Sequence, residues 1–67
     1  MIALSINGEP HRFDDGMNIA QVLEQLQLKG KRLALEKNGE IVARSRFKQE
    51  ALYEGDKLEI VIAVGGG

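Results

Sequence analysis

The stretch Glu54-Gly55-Asp56-Lys57-Leu58-Glu59-Ile60-Val61-Ile62-Ala63-Val64-Gly65-Gly66-Gly67 decides how the rest of this chain is read. Glu54-Gly55-Asp56 has the chemistry of a turn, and Lys57 to Ala63 reads as a strand. Side chains alternate across a strand, so Leu58, Ile60 and Ile62 share one face, with Glu59, Val61 and Ala63 on the other. One residue beyond it come three glycines. Lacking Cβ atoms, they adopt almost any φ/ψ and fit a channel too narrow for side chains. At roughly 3.3–3.6 Å per residue, Val64 to Gly67 reach on the order of 13–14 Å past the strand. The terminal carboxylate is ionised at neutral pH. A thin arm with a carboxylate at its tip suits delivery into the buried active site of another protein.

Working back from that strand, the other elements alternate in the same way. Met1 to Asn7 has period two, with Ile2, Leu4 and Ile6 on one face, and predicts a half-buried strand. Asn7-Gly8 is a two-residue hairpin signal, because both residues tolerate positive φ. A second strand, Glu9 to Phe13, follows, and Pro10, with no N–H to donate, makes it an edge strand or sits at its start. Asp14-Asp15-Gly16 breaks it. A helix is expected from Asn18 to about Leu28: Asn18 caps it, Gln21 completes a capping box, and Ile19, Val22, Leu23 and Leu26 form one apolar stripe. Gly30 is the expected left-handed residue at its C-terminus, with Lys29 and Lys31 near the negative end of the dipole. Leu33 to Lys37, the turn Asn38-Gly39, and Glu40 to Ala43 predict a second hairpin. Residues 44–53 are mixed, with Phe47 and Leu52 as anchors beneath a loop or single helical turn.

The order strand, strand, helix, strand, strand, strand is an α+β layout: one amphipathic helix across a mixed sheet of four to five strands. The first and last strands are the most apolar and belong side by side at the centre. That is the ubiquitin-like β-grasp arrangement, with residues 1–63 as the domain and 64–67 as a flexible glycine tail.

Composition narrows the function. Sixty-seven residues make one domain, which buries only roughly 60% of the surface its unfolded chain exposes. With no Cys and one His, a Cys-based metal or redox site is excluded and a reducing cytoplasm is the expected location. An apolar fraction of 43% is that of a folded protein. No signal peptide and no membrane span are expected. Charge is segregated: residues 29–48 hold seven of the nine bases and two of the ten acids. The one aromatic residue among these bases, Phe47, reads as a core anchor and makes no stacking pattern. They therefore read as a solvated segment or a patch for an acidic protein, not a nucleic-acid site. His11 has no nucleophile or second ligand at motif spacing and reads as a surface residue. Asp14 and Asp15 read as turn residues, not metal ligands. No bound cofactor, metal or catalytic residue is expected.

The whole chain resembles the ThiS family of sulfur carriers of thiamine biosynthesis. The resemblance rests on Ile6-Asn7-Gly8-Glu9, Val22-Leu23-Glu24-Gln25-Leu26, Asn38-Gly39-Glu40-Ile41-Val42 with Arg44-Ser45, and above all the Glu54-Gly55-Asp56 turn, strand and glycine end at the family's spacing. Two departures are visible: Ala43 stands where that family usually has Pro, and Lys37 where an apolar residue is expected. The resemblance implies a carrier that is not itself an enzyme. An E1-like adenylyltransferase would use ATP to activate Gly67, a sulfurtransferase system would supply sulfur, and thiazole synthase would receive it. Gly65, Gly66 and Gly67 would thread the partner's active site, and Val61, Ala63, Val64 and Arg44 are candidate docking residues. The small subunit of molybdopterin synthase resembles this chain too, but that family typically carries prolines before its glycines, and Ile62-Ala63-Val64 has none. From another class, a β-grasp interaction module without tail chemistry would bind through its sheet.

Overall fold

The computed structural model describes residues 1–63; Val64, Gly65, Gly66 and Gly67 lie outside the described residues. Five strands, β1 (Ile2–Ile6), β2 (Glu9–Phe13), β3 (Leu33–Lys37), β4 (Glu40–Val42) and β5 (Lys57–Ile62), form one sheet in the order β2-β1-β5-β3-β4. β1 and β5 are parallel neighbours near its middle, and every other pairing is antiparallel. The expected mixed sheet is therefore present, with the two most apolar strands side by side. Pro10 lies opposite Ser5 on the edge strand β2, where its missing N–H leaves no ladder bond unmade.

The helix α1 (Ile19–Gln25) starts as the sequence predicts. Asn18 Oδ1 accepts from the Gln21 N–H at 2.8 Å, and Gln21 Oε1 accepts from the Asn18 N–H at 2.9 Å, a reciprocal capping box. Its end differs from the expectation. The helix stops at Gln25 and Leu26 forms the C-cap, so Lys29 and Lys31 lie beyond its last turn. The left-handed residue is Gln27 (φ 63°), although Gly30 also has positive φ (82°). The N–H of Gln27 bonds the Glu24 carbonyl at 3.0 Å and that of Leu28 bonds the Leu23 carbonyl at 2.7 Å, the pair of bonds of a Schellman ending. Leu28 packs against the core beside buried Leu23. That apolar contact, not the nearest glycine, selects where the helix ends.

One face of the sheet packs under α1. Leu4, Ile6, Phe13, Ile19, Val22, Leu23, Leu35, Leu58 and Ile60 are buried there, with Phe47 and Leu52 closing the core from the 3₁₀ turn Arg44–Arg46 and the loop after it. Burial fades along β5: Leu58 is fully buried, Ile60 nearly so, and Ile62 is 39% exposed. Ile62, on the face of Leu58 and Ile60 as expected, pairs with Leu33 as the last rung of the β3–β5 ladder, where the sheet runs out. His11, expected on the surface, is half-buried; its ring stacks on Phe13, with centroids 6.0 Å apart and planes 9° apart.

Both Asn-Gly hairpins form with positive φ at both turn residues: 51° and 83° at Asn7-Gly8, 53° and 86° at Asn38-Gly39. These are the conformations that match the twist of a two-residue hairpin. Each asparagine also reaches β5. Asn7 Nδ2 donates to the Ile60 carbonyl at 3.0 Å while its Oδ1 accepts from the Ile60 N–H at 2.7 Å. Asn38 Oδ1 accepts from the Lys57 N–H at 2.9 Å, and its Nδ2 donates to the buried carboxylate of Asp56 at 3.0 Å. The second oxygen of Asp56 accepts from the Tyr53 N–H at 2.9 Å. The strand that leads into the glycine tail is held by both turns, at Lys57 by Asn38 and at Ile60 by Asn7.

Candidate functional site

The face of the sheet away from α1 has no layer over it among the described residues. By register it carries Ala34 opposite Val61, and Glu36 opposite both Glu59 and Ile41. Val61 is 68% exposed and Ile41 76% exposed. These two are large apolar side chains that a monomer gains nothing by exposing, and both lie on this face, Ile41 on β4 and Val61 on β5 with β3 between them. Glu36 and Glu59 face each other directly, and like charges in that position oppose pairing of the strands. This face therefore offers apolar contact and two carboxylates that a cationic group would relieve.

The candidate docking residues divide. Val61 points to the open face, as the alternation of β5 predicts, and Ala63 is exposed beyond the strand. The Ala63 N–H donates to the Arg32 carbonyl at 2.9 Å, so the chain remains paired for one residue after β5. Arg44 is not on this face. It lies on the 3₁₀ turn, and its guanidinium donates to the Lys31 carbonyl at 3.1 Å. Successive carbonyls of Lys31 and Arg32 thus tie Arg44 and Ala63 to one segment, one from the helix side and the other at the root of the tail. Val64, Gly65, Gly66 and Gly67 belong to the residues not described. Ile41, Ala34, Glu36 and Glu59 were missed as site residues; period-two alternation in β3 and β4 was the signal that would have found them.

The basic segment does not make one continuous patch. Lys37 Nζ pairs with Glu50 at 2.8 Å, lies 5.9 Å from the centre of the Tyr53 ring, and donates to the Ala51 carbonyl at 3.4 Å; Arg46 approaches the other Glu50 oxygen at 3.7 Å. The hydrogen bond to Glu50, with its charge, holds the Lys37 ammonium above the usual lysine range against the opposing effect of burial. The same bond, with the Lys37 charge, holds the Glu50 carboxyl below its usual range. Lys37 occupies the helix-side position where an apolar residue was expected, and its stem covers the core while its charge is matched at the rim. Among the described residues, no group of three His, Asp or Glu side chains is placed to hold a metal ion, and no helix is long and apolar enough to cross a membrane.

A mixed sheet with a central parallel pair, one helix on one face and the other face open defines a ubiquitin-like β-grasp domain. The chain belongs to the ThiS family: the family model matches residues 4–67, through to the last glycine. It is 35% identical over 65 residues to the sulfur carrier protein ThiS of Bacillus subtilis, covering 96% of this chain and 98% of that one. It is 44% identical over 64 residues to a thiazole synthase of Paramagnetospirillum magneticum, a match that takes in 96% of this chain but spans only 20% of that protein. The crystal structure of the thiamine biosynthesis protein ThiS from Geobacter metallireducens superposes with a TM-score of 0.83 at 29% identity, covering 98% of this chain and all of that one.

Proposed function

We propose that this protein is a sulfur carrier of thiamine biosynthesis whose working group is the carboxylate of Gly67. An E1-like adenylyltransferase docks the carrier and admits Gly65, Gly66 and Gly67 to its active site. A carboxylate oxygen attacks the α-phosphorus of ATP, releasing pyrophosphate and leaving an acyl-adenylate. Sulfur from a sulfurtransferase system displaces AMP; with hydrosulfide as the nucleophile, the products are the thiocarboxylate, AMP and a proton. The thiocarboxylate then donates its sulfur to thiazole synthase. The carrier is a co-substrate, and the chemistry is performed by its partners.

What supports this reading most is that the family match continues through Gly67, so the glycine end belongs to the pattern that the family shares. Thiazole synthases that contain a stretch similar to this chain support thiazole synthase as the acceptor. The open face, which carries Ile41 and, near the end of β5, Val61, suits docking, because a partner covering it would lie next to the strand that precedes the tail. Arg44, on the helix side, is then left to steering at the rim, where a charge acts mainly on the association rate.

Intact mass after incubation with an E1-like adenylyltransferase, ATP and a sulfur donor tests the proposal. Replacement of one oxygen by sulfur, mapped to the peptide that ends in Gly67, is expected. Deletion of Gly66 and Gly67 leaves the fold intact and abolishes the change. An unchanged mass, with an authentic carrier modified in parallel, overturns the proposal in favour of an interaction module. Val61→Asp is expected to weaken partner binding by calorimetry while leaving the circular dichroism of the domain unaltered, because Val61 is mostly solvent-exposed.

A further inference from the structure

On the side of the molecule opposite the open sheet face, α1, the loop at residues 28–33 and the 3₁₀ turn enclose a groove of about 660 Å³. Its apolar floor consists of Ala20, Leu23, Leu28, Leu33 and Phe47. All five belong to the core or pack against it, so the floor is preformed. Four cations line it as well, Lys29, Lys31, Arg44 and Lys48, and the Arg44 guanidinium reaches the Lys31 carbonyl at 3.1 Å. Glu24 is the one carboxylate among the lining residues, and it is already paired with Lys29 at 3.3 Å.

Size alone would admit a small molecule, since ligand sites commonly measure about 300–1,000 Å³. The chemistry favours a peptide. A small-ligand site needs polar groups that converge from its walls to fix an orientation. Of the uncharged polar side chains that line this groove, Asn18 is held by the Gln21 N–H and the Lys48 carbonyl, and Gln21 Oε1 by the Asn18 N–H. The charges here sit on long, exposed side chains at the margins. Apolar floor with cationic margins is the complement of a segment that carries apolar anchors among acidic residues.

We infer that this groove docks an acidic, amphipathic segment of a partner protein, its apolar side chains on the Leu23–Phe47 floor and its carboxylates against Lys29, Lys31, Arg44 and Lys48. The groove and the open sheet face lie on opposite sides of the sheet. One protein can therefore hold the domain from the helix side while another works at the sheet and tail, which suits a protein handed between partners. The inference does not depend on the chemistry of Gly67.

The test uses the full chain, isotopically labelled, and a short acetylated and amidated peptide, Glu-Glu-Leu-Glu-Asp-Leu-Phe-Glu. Saturable shifts of the Ala20, Leu23, Leu28 and Phe47 amides are expected. The double variant Lys31→Glu/Lys48→Glu should bind at least roughly tenfold more weakly, or about 1.4 kcal/mol, with Tm unchanged. Ala20→Gln, which places a longer side chain over the floor, should also lose binding. A peptide with Ser replacing Leu and Phe should not saturate. The inference is overturned if the shifts fall on the open sheet face, if a peptide with Lys replacing the acids binds as well, or if inorganic pyrophosphate alone produces the same shifts. Binding unaffected by the charge reversals overturns it too.

Discussion

The two Asn-Gly turns have the same local sequence and the same backbone, and they do different things. At Asn7-Gly8 the chain leaves β1 after only two Cα pairs of the β1–β5 ladder, Ser5 with Lys57 and Ile6 with Leu58. The Asn7 N–H still reaches the Leu58 carbonyl at 2.9 Å, and the side-chain amide then meets both the N–H and C=O of Ile60. A side chain thus supplies the next peptide of a strand that has already turned away. At Asn38-Gly39 the main-chain N–H donates to the Lys57 carbonyl at 2.8 Å, and the side chain is shared between the Lys57 N–H and the carboxylate of Asp56. That turn anchors the start of β5 and keeps a buried charge satisfied; the first turn holds the half of β5 nearer the tail. Local chemistry makes the turn, and the neighbouring chain decides what the asparagine is for.

Asn→Gly is the sharpest way to break the comparison, because glycine keeps the positive φ and removes the side-chain bonds, while its added unfolded-chain entropy is common to both turns. Asn38→Gly is expected to have the larger effect, about 2–3 kcal/mol by chemical denaturation. It removes a hydrogen bond to a charged acceptor at a carboxylate that stays buried. Asn7→Gly, which leaves two main-chain groups of Ile60 without their partner, should cost about 1–2 kcal/mol. Hydrogen exchange separates the two beyond magnitude: Asn7→Gly should speed the Ile60 amide selectively, and Asn38→Gly the Lys57 amide. Equal acceleration at both ends of β5 in either variant would show that the turns act as one unit.

The second hairpin can also be stiffened. Ala43 has φ −67° and ψ 146°, follows the extended residue Val42, and lies outside the β3–β4 register. Proline fits that backbone, so Ala43→Pro should stabilise by about 0.4–1 kcal/mol through the unfolded chain. At this size that corresponds to a Tm higher by several degrees. A fall in Tm would mean that the Ala43 N–H serves a contact that the ring destroys.

The smallest effect concerns Lys37, next to the second turn. Glu50 is held below its ordinary range, so its contribution is present above the ordinary carboxylate value and is lost as pH falls through the lowered one. Lys37 is held above its ordinary range; its contribution is complete below the ordinary lysine value and is lost as pH rises through the raised one. Lys37→Met should flatten both limbs of the curve of Tm against pH and leave the slope between them alone. Unchanged limbs would show that solvent screens the pair completely.

The sheet, the helix start and the two turns were legible because each depends on near neighbours. Alternation placed Leu58 and Ile60 inward and Val61 outward, and Asn18 with Gln21 gave the capping box. The helix end was misread, since Leu28 reaches back to Leu23 only once both have a core to share, and that contact outweighs the left-handed conformation it imposes on Gln27. Alternation puts Ile62 on the face of Leu58 and Ile60 but carries no information on where the overlying layer stops, and Ile62 is 39% exposed. The basic segment, continuous from residue 29 to 48 in the chain, divides in space between the Glu50 cluster and the rim of a groove.

By itself the sequence determined periodicity, turns, caps and a glycine end attached to the strand most suited to the centre of the sheet, all of which follow from steric preferences and burial within a few residues. Only the tertiary structure decided which groups of β5 the two asparagines hold, that Arg44 faces away from Val61, that Glu36 confronts Glu59, and that four cations surround one apolar floor. Those relations join residues far apart in the chain, and their geometry exists only after the strands have taken their register.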